Sequence, residues 1–159
     1  MTKLKSPLPS VKTLFLIGSI FLFGFSCHQT IKTDLPTVQL RLGEKNIVVE
    51  VANKPSTRSA GLMFRKEMDP DNGMLFVFAD NTQRAFWMKN TLIPLSIAFI
   101  NEKGVILNIL EMPPETENSF FSNGPAKYAL EMNAGWFERN KMKPGDLAGG
   151  VLNSPRAEE

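Results

Sequence analysis

Hydrophobic and polar residues alternate over Thr37–Leu42, with Val38, Leu40 and Leu42 on one face and Thr37, Gln39 and Arg41 on the other. That period of two predicts a half-buried strand. Gly43-Glu44-Lys45-Asn46 is turn-forming, and Ile47, Val49 and Val51 resume the alternation. The two segments therefore predict a hairpin. From Asn53 to Arg65 the period changes, because Ala60, Met63 and Phe64 fall at i, i+3 and i+4. This predicts a short helix, with Asn53 or Ser56 as its cap, Pro55 in its first turn and Gly61 weakening it.

Further short apolar segments follow at Met74–Phe78, Arg84–Met88, Leu95–Ile100, Val105–Met112 and Lys127–Asn133. Leu95–Ile100 is apolar except for Ser96, as in a strand buried on both faces. In the last segment Tyr128, Leu130 and Met132 are expected inward and Glu131 outward. Asp80–Gln83, Asn101–Gly104 and Lys143–Asp146 read as turns, and Pro113–Pro125 as a long loop. Trp136–Asn140 suggests one helical turn, Leu147–Leu152 a closing segment, and residues 153–159 a frayed tail. Many short strands and one short helix predict a mainly-β fold, an antiparallel sandwich or barrel.

The N-terminus does not belong to this pattern. Lys3, Lys5 and Lys12 precede an apolar run from Thr13 to Phe25, and no acid occurs before Ser26. A basic start, a short apolar run and small residues before a cut make a secretory signal, expected over residues 1–26. Gly24-Phe25-Ser26-Cys27 resembles a bacterial lipobox, in which the Cys is acylated and becomes the new N-terminus. Cys27 is thus the expected lipidation site, and residues 27–36 the tether to a domain over 37–152. The resemblance implies an exported protein of the bacterial cell envelope, held to the outer membrane or facing the periplasm by its lipid anchor.

Export changes the charge balance. The chain has 18 basic and 16 acidic residues. Losing three lysines with the signal leaves 15 against 16, a net charge of −1. The basic excess belongs to the signal and gives no case for nucleic acid as a partner.

The absence of residue types narrows the chemistry. Cys27 and His28 are the single Cys and single His, and both precede the expected domain. Nucleophilic Ser-His-Asp and Cys-His sets and Cys- or His-based zinc sites are therefore excluded from it. No phosphate-cradling Gly loop is present. Asp69-Pro70-Asp71-Asn72-Gly73 has oxygen ligands without the spacing of a calcium loop, so it reads as a turn. No cofactor and no metal is expected.

The remaining polar candidates are Arg58, Arg65, Lys89, Asn90, Glu131 and Asp146, with Trp87 beside them. Phe86-Trp87-Met88-Lys89-Asn90-Thr91-Leu92-Ile93-Pro94-Leu95 sets apolar side chains around an amide and a cation, as ligand pockets do. Arg58 and Arg65 lie seven residues apart, on one face of the expected helix. They either grip an anion or pair with Glu131 or Asp146. Trp87 is expected in the core. Lys89 is expected at a strand end beside that helix, with Glu131 as its candidate partner.

Val51-Ala52, Arg58–Arg65, Gly73–Phe78, Phe86–Leu95, Tyr128–Gly135 and Gly145-Asp146 also resemble, in order, the blocks of one family. It is the domain of unknown function 192 family, also called uncharacterised protein family 0127. The resemblance spans about Thr37 to Leu152 and implies a compact, jelly-roll-like β fold, frequently exported. It implies no activity, cofactor or catalytic residue. Ser96 stands where the family commonly has Asp, so no acid–base or metal role carries over to it.

The combined expectation is a lipid-tethered module binding a small ligand or an envelope protein. One alternative is a carboxylate-dependent hydrolase or lyase using Glu131 or Asp146, which could also act as a pair, with Lys89 or an Arg. The other is a structural envelope protein in which the motif residues only pack.

Overall fold

The structure is a computed structural model that describes Met1 and residues 35–159. The expected signal over 1–26, the acylation site Cys27 and all but the last two residues of the 27–36 tether lie outside the described residues.

The domain is mainly β, one curled seven-stranded sheet. Its strands are β1 (Thr37–Leu42), β2 (Lys45–Ala52), β3 (Gly73–Phe86), β4 (Leu95–Ile100), β5 (Ile106–Met112), β6 (Phe120–Asn133) and β7 (Ala148–Gly149). They lie in the order β5-β4-β6-β3-β2-β1-β7. The hairpin read from Thr37 to Val51 forms as β1 and β2, with Leu40 opposite Ile47 and Val38 opposite Val49. All six residues of β4 are buried, as its apolar run predicts.

One pairing is not antiparallel. β2 and β3 run parallel, placing Glu50 beside Met74 and Ala52 beside Phe76. Parallel neighbours need a crossover, and here it carries helix α1 (Pro55–Ala60) over one face of the sheet. The sheet is therefore mixed rather than wholly antiparallel.

The helix is shorter than the apolar spacing suggests. It begins after Lys54, whose N–H donates to Thr57 Oγ1 at 3.0 Å, and neither Asn53 nor Ser56 caps it. Gly61 ends it with φ 47°, and Phe64 has φ 63°. Arg65 thus lies beyond the helix and does not share a face with Arg58.

Two expected irregular stretches are strand instead. Asp80–Gln83 runs within β3, and Phe120–Pro125 begins β6. The polar composition is accommodated because this half of β3 pairs with β6 alone, through register shifts between Val77 and Thr82 and between Gln83 and Ala85. Such bulges bend a strand while keeping it paired. Pro125, which has no N–H to donate, stands opposite Gln83 between them.

The sheet has hydrophobic residues on both faces. On one, Val49, Val51, Leu75, Leu130 and Ala98 pack with Trp136 and Phe137 of the short helix α2 (Trp136–Arg139). On the other, Met74, Phe76, Ile97, Phe99 and Ala129 pack with Leu62 and Met88. Since both faces of β6 are covered, alternation places Glu131 inside as well, opposite to its expected outward direction. It is 4% exposed.

The C-terminal tail is held rather than frayed. Asn53 Nδ2 donates to the carbonyl of Arg156 (2.8 Å), the Glu158 N–H donates to the carbonyl of Asn53 (2.8 Å), and Lys54 pairs with the Glu158 carboxylate (3.5 Å). The turn read at Asp69–Gly73 is fixed too, with Trp136 Nε1 donating to Asp71 Oδ1 at 2.8 Å.

Candidate functional site

Strand register builds the site's floor. Glu50 on β2, Met74 on β3, Glu131 on β6 and Ile97 on β4 form one row across the sheet. Directly paired residues share a face, so all four project toward the side crossed by α1. Beside Glu131 in this row lies an open cavity of about 420 Å³. Arg58, Ala60 and Gly61 wall it on the helix side, Leu62 and Thr91 come from loops, and Phe76, Phe78 and Phe86 come from β3. Glu131 and Trp87 complete it.

The aromatic wall is ordered by edge-to-face contacts. The Phe86 ring lies 4.9 Å from Phe76, 6.2 Å from Phe78 and 5.6 Å from Phe99. Gly61 lets the chain pass close above, since a Cβ there would stand 3.3 Å from the Phe76 ring.

Glu131 is the chemically unusual group. Burial pushes its carboxyl up to about 8, against a smaller opposing effect of the Arg65 charge. Desolvation disfavours the ionised form, so the group is mainly neutral at pH 7. It forms no ion pair or hydrogen bond among the described residues, and it lines the cavity. Arg65 instead forms an ion pair with Glu50, further along the same row.

Arg58 is held by carbonyls. Its Nη1 donates to Asn53 O (2.6 Å), Val77 O (3.2 Å) and Glu158 O (3.4 Å), and its guanidinium lies 5.7 Å from the Phe78 ring centre. Its expected pairing with Glu131 or Asp146 is not formed; backbone carbonyls at the start of the crossover, on β3 and in the returning tail take its Nη1 donors and one from Nη2, which leaves Nε–H and the second Nη2 N–H outside these bonds.

Three other expectations change. Trp87 is 50% exposed rather than in the core, because β3 ends at Phe86 and the chain turns. Lys89 is exposed, with Nζ 5.4 Å from the Trp87 ring, and it does not pair with Glu131. Asp146 lies in a turn where its Oδ2 accepts from the Lys143 N–H (2.9 Å), and it lines a different cavity. Glu131 and Asp146 therefore do not form a carboxylate pair.

Asn90 is exposed, and its carbonyl accepts from the Phe64 N–H, so it lies beside the segment that follows α1. Ser96 is fully buried; it donates to Glu111 Oε1 (2.6 Å) and accepts from the Gly135 N–H (2.7 Å). It joins two strands to the turn before α2. Of the seven candidates, the cavity gathers Arg58, Trp87 and Glu131. The aromatic wall was missed because Phe78 and Phe86 look like ordinary core residues until the parallel crossover places α1 above them. Among the described residues no group of Cys, His, Asp and Glu is arranged to hold a metal ion.

The fold and cavity define a single mainly-β domain whose crossover helix stands over a largely apolar site with one buried carboxyl. The chain belongs to the DUF192 family, described as "Uncharacterized ACR", whose model matches residues 38–148. It is similar to a solved structure from Sinorhizobium meliloti, described as a candidate transcription regulator. That likeness has a TM-score of 0.72 and 37% identity, over 76% of this chain and 98% of that one. It is also similar to a protein of unknown function from Novosphingobium aromaticivorans, with a TM-score of 0.66 and 32% identity over 72% of this chain and 84% of that one. No curated protein matches.

Proposed function

We propose that this protein is an exported, lipid-anchored module of the bacterial envelope that binds a small ligand in the cavity beside α1. The observation that carries the binding reading is Glu131, a carboxyl set within the fold that makes no hydrogen bond among the described residues and shares the cavity lining with Phe76, Phe78, Phe86 and Trp87. Among the described residues no fully buried side-chain nitrogen or oxygen lacks a partner, so the Glu131 oxygens reach the cavity. A few polar groups set in apolar walls are also what ligand sites use to orient their occupants. The half-exposed Trp87 adds an aromatic surface to the lining. The export reading rests on the basic start, the apolar run and the Gly24–Cys27 motif.

The binding test is mass spectrometry of small molecules carried by the full chain purified from its host. Wild type should retain a species that Ala85→Trp loses while remaining folded, since Ala85 is an exposed β3 residue on the cavity lining and the larger side chain narrows the space. A folded wild type that carries nothing, and binds nothing from a metabolite panel, rejects the reading in favour of a structural role. For export, Cys27→Ser should leave unprocessed precursor and abolish acyl labelling. Normal processing of that variant would point to ordinary signal cleavage.

A further inference from the structure

The charges in and around the cavity are unequally matched, and only Arg58 and Glu131 line it. Arg65 is paired with Glu50, and Arg84 with Asp80. Arg58 faces carbonyl oxygens and the Phe78 ring, with no carboxylate partner among the described residues. The carboxylate of Glu158, whose backbone carbonyl accepts from Arg58, pairs with Lys54. The cavity therefore has a guanidinium balanced only by dipoles, while the carboxyl that shares the lining makes no ion pair. Leu62, Phe76, Phe78 and Phe86 supply the apolar remainder.

Resting on the binding reading above, we propose that the ligand is a small organic monoanion, a carboxylate on a mainly apolar body, held between Arg58 and Glu131. The ligand supplies the negative charge that Arg58 lacks. The neutral Glu131 carboxyl donates its O–H to a ligand carboxylate oxygen, and charge-assisted bonds of that kind are the stronger ones. The hydrocarbon or aryl part packs against the Phe wall. An amine of the same shape meets an unbalanced guanidinium, and a neutral amide brings no charge to meet it.

The charged groups around Glu131 are Arg65 beyond α1, Arg58 on α1 and Glu50 across Met74, while β4 presents apolar Ile97. As pH rises through about 8, where burial places the Glu131 transition, the donor becomes a second anion. Ligand affinity should then fall.

The test is calorimetric titration of the full chain with 4-phenylbutyrate, 4-phenylbutanamide and 4-phenylbutylamine. At pH 6.5 the carboxylate should bind at least tenfold more tightly than the amide, and the amine should give no signal. Between pH 7 and 9.5 the carboxylate should weaken at least tenfold, and Glu131→Gln should flatten that dependence. Arg58→Gln, if folded, should erase the preference for carboxylate over amide; the wild-type series and its pH profile decide the matter without it. Equal or tighter binding of amide or amine overturns the anion class and leaves the cavity reading intact. No binding by any of the three also overturns this proposal, while the species retained on purification still judges the cavity.

Discussion

Phe64 and Asn90 both hold left-handed backbone, and the N–H of Phe64 donates to the carbonyl of Asn90 at 2.8 Å. The bond ties the segment after α1 to the turn that follows Trp87 and Met88. Asn tolerates this conformation, whereas a bulky aromatic is an outlier there. Strain of this kind persists where surrounding structure enforces it. The Phe64 side chain is 68% exposed, so burial of its ring does not explain its presence.

Replacing Phe64 by Gly should leave stability unchanged or slightly raised, since it relieves the positive φ and loses little buried area. Asn90→Gly should be near neutral, and Asn90→Val should cost roughly 1–2 kcal/mol, the penalty for a left-handed L-residue. Urea unfolding measures all three. A Phe64→Gly loss comparable to that of Asn90→Val would show that the ring, not the backbone, matters here.

Phe86 and Trp87 are neighbours with opposite roles. Phe86→Ala removes an aromatic that packs on three others and should destabilise by roughly 3 kcal/mol, the lower end for large core aromatics because it is only part-buried. Trp87→Ala should change stability by less than about 1 kcal/mol, as exposed positions do, yet weaken retention of any cavity ligand. Comparable stability losses would mean that Trp87 is part of the core in solution.

Glu131 makes stability pH-dependent with a definite sign. Its folded pKa is raised to about 8 from an ordinary 4.5, so the folded state binds the additional proton. The favourable contribution is complete below about 4.5 and is lost as pH rises toward about 8, after which it is flat. The slope between those limits is at most about 1.4 kcal/mol per pH unit. Unfolding of wild type and Glu131→Gln from pH 5 to 9 should differ by this component. Parallel curves would show that Glu131 is ionised and solvated in the fold.

Lys89 and Glu131 should behave as independent sites. Lys89→Met should change stability little, since its Nζ lies above the exposed Trp87 ring. In a double-mutant cycle with Glu131→Gln the two effects should add to within about 0.5 kcal/mol. Coupling above 1 kcal/mol would establish the ion pair that the structure does not form.

Much of the fold was legible because strand periodicity is local. Val38, Leu40 and Leu42 announce β1, and the uninterrupted apolar run of Leu95–Ile100 announces a strand covered on both faces. The parallel neighbours β2 and β3 were not legible, because no local pattern states which strands lie side by side across twenty intervening residues. The consequences of that pairing were hidden with it. Arg65 finds Glu50 only because β2 lies beside β3, and α1 stands over Phe76 for the same reason. Asp80–Gln83 has the composition of a turn, and solvent exposure at a half-paired strand serves those residues equally well. Glu131 was assigned to the wrong environment because alternation distinguishes two faces but not whether the second is wet.

Helix α1 is six residues long and buries none of them fully. Isolated helices need at least about 12 residues to persist in water. Its folded state is owed to the Lys54–Thr57 contact and to the carbonyls that hold Arg58, one of them supplied by the tail at Glu158. Regions with few buried contacts detach at a fraction of the global unfolding free energy. The helical wall of the cavity therefore melts locally at less cost than the strands that form its floor. Amide hydrogen exchange in Arg58–Gly61 would report that local opening, and an occupant held against Arg58 should slow it, so the exchange of one short helix reads out whether the cavity is filled.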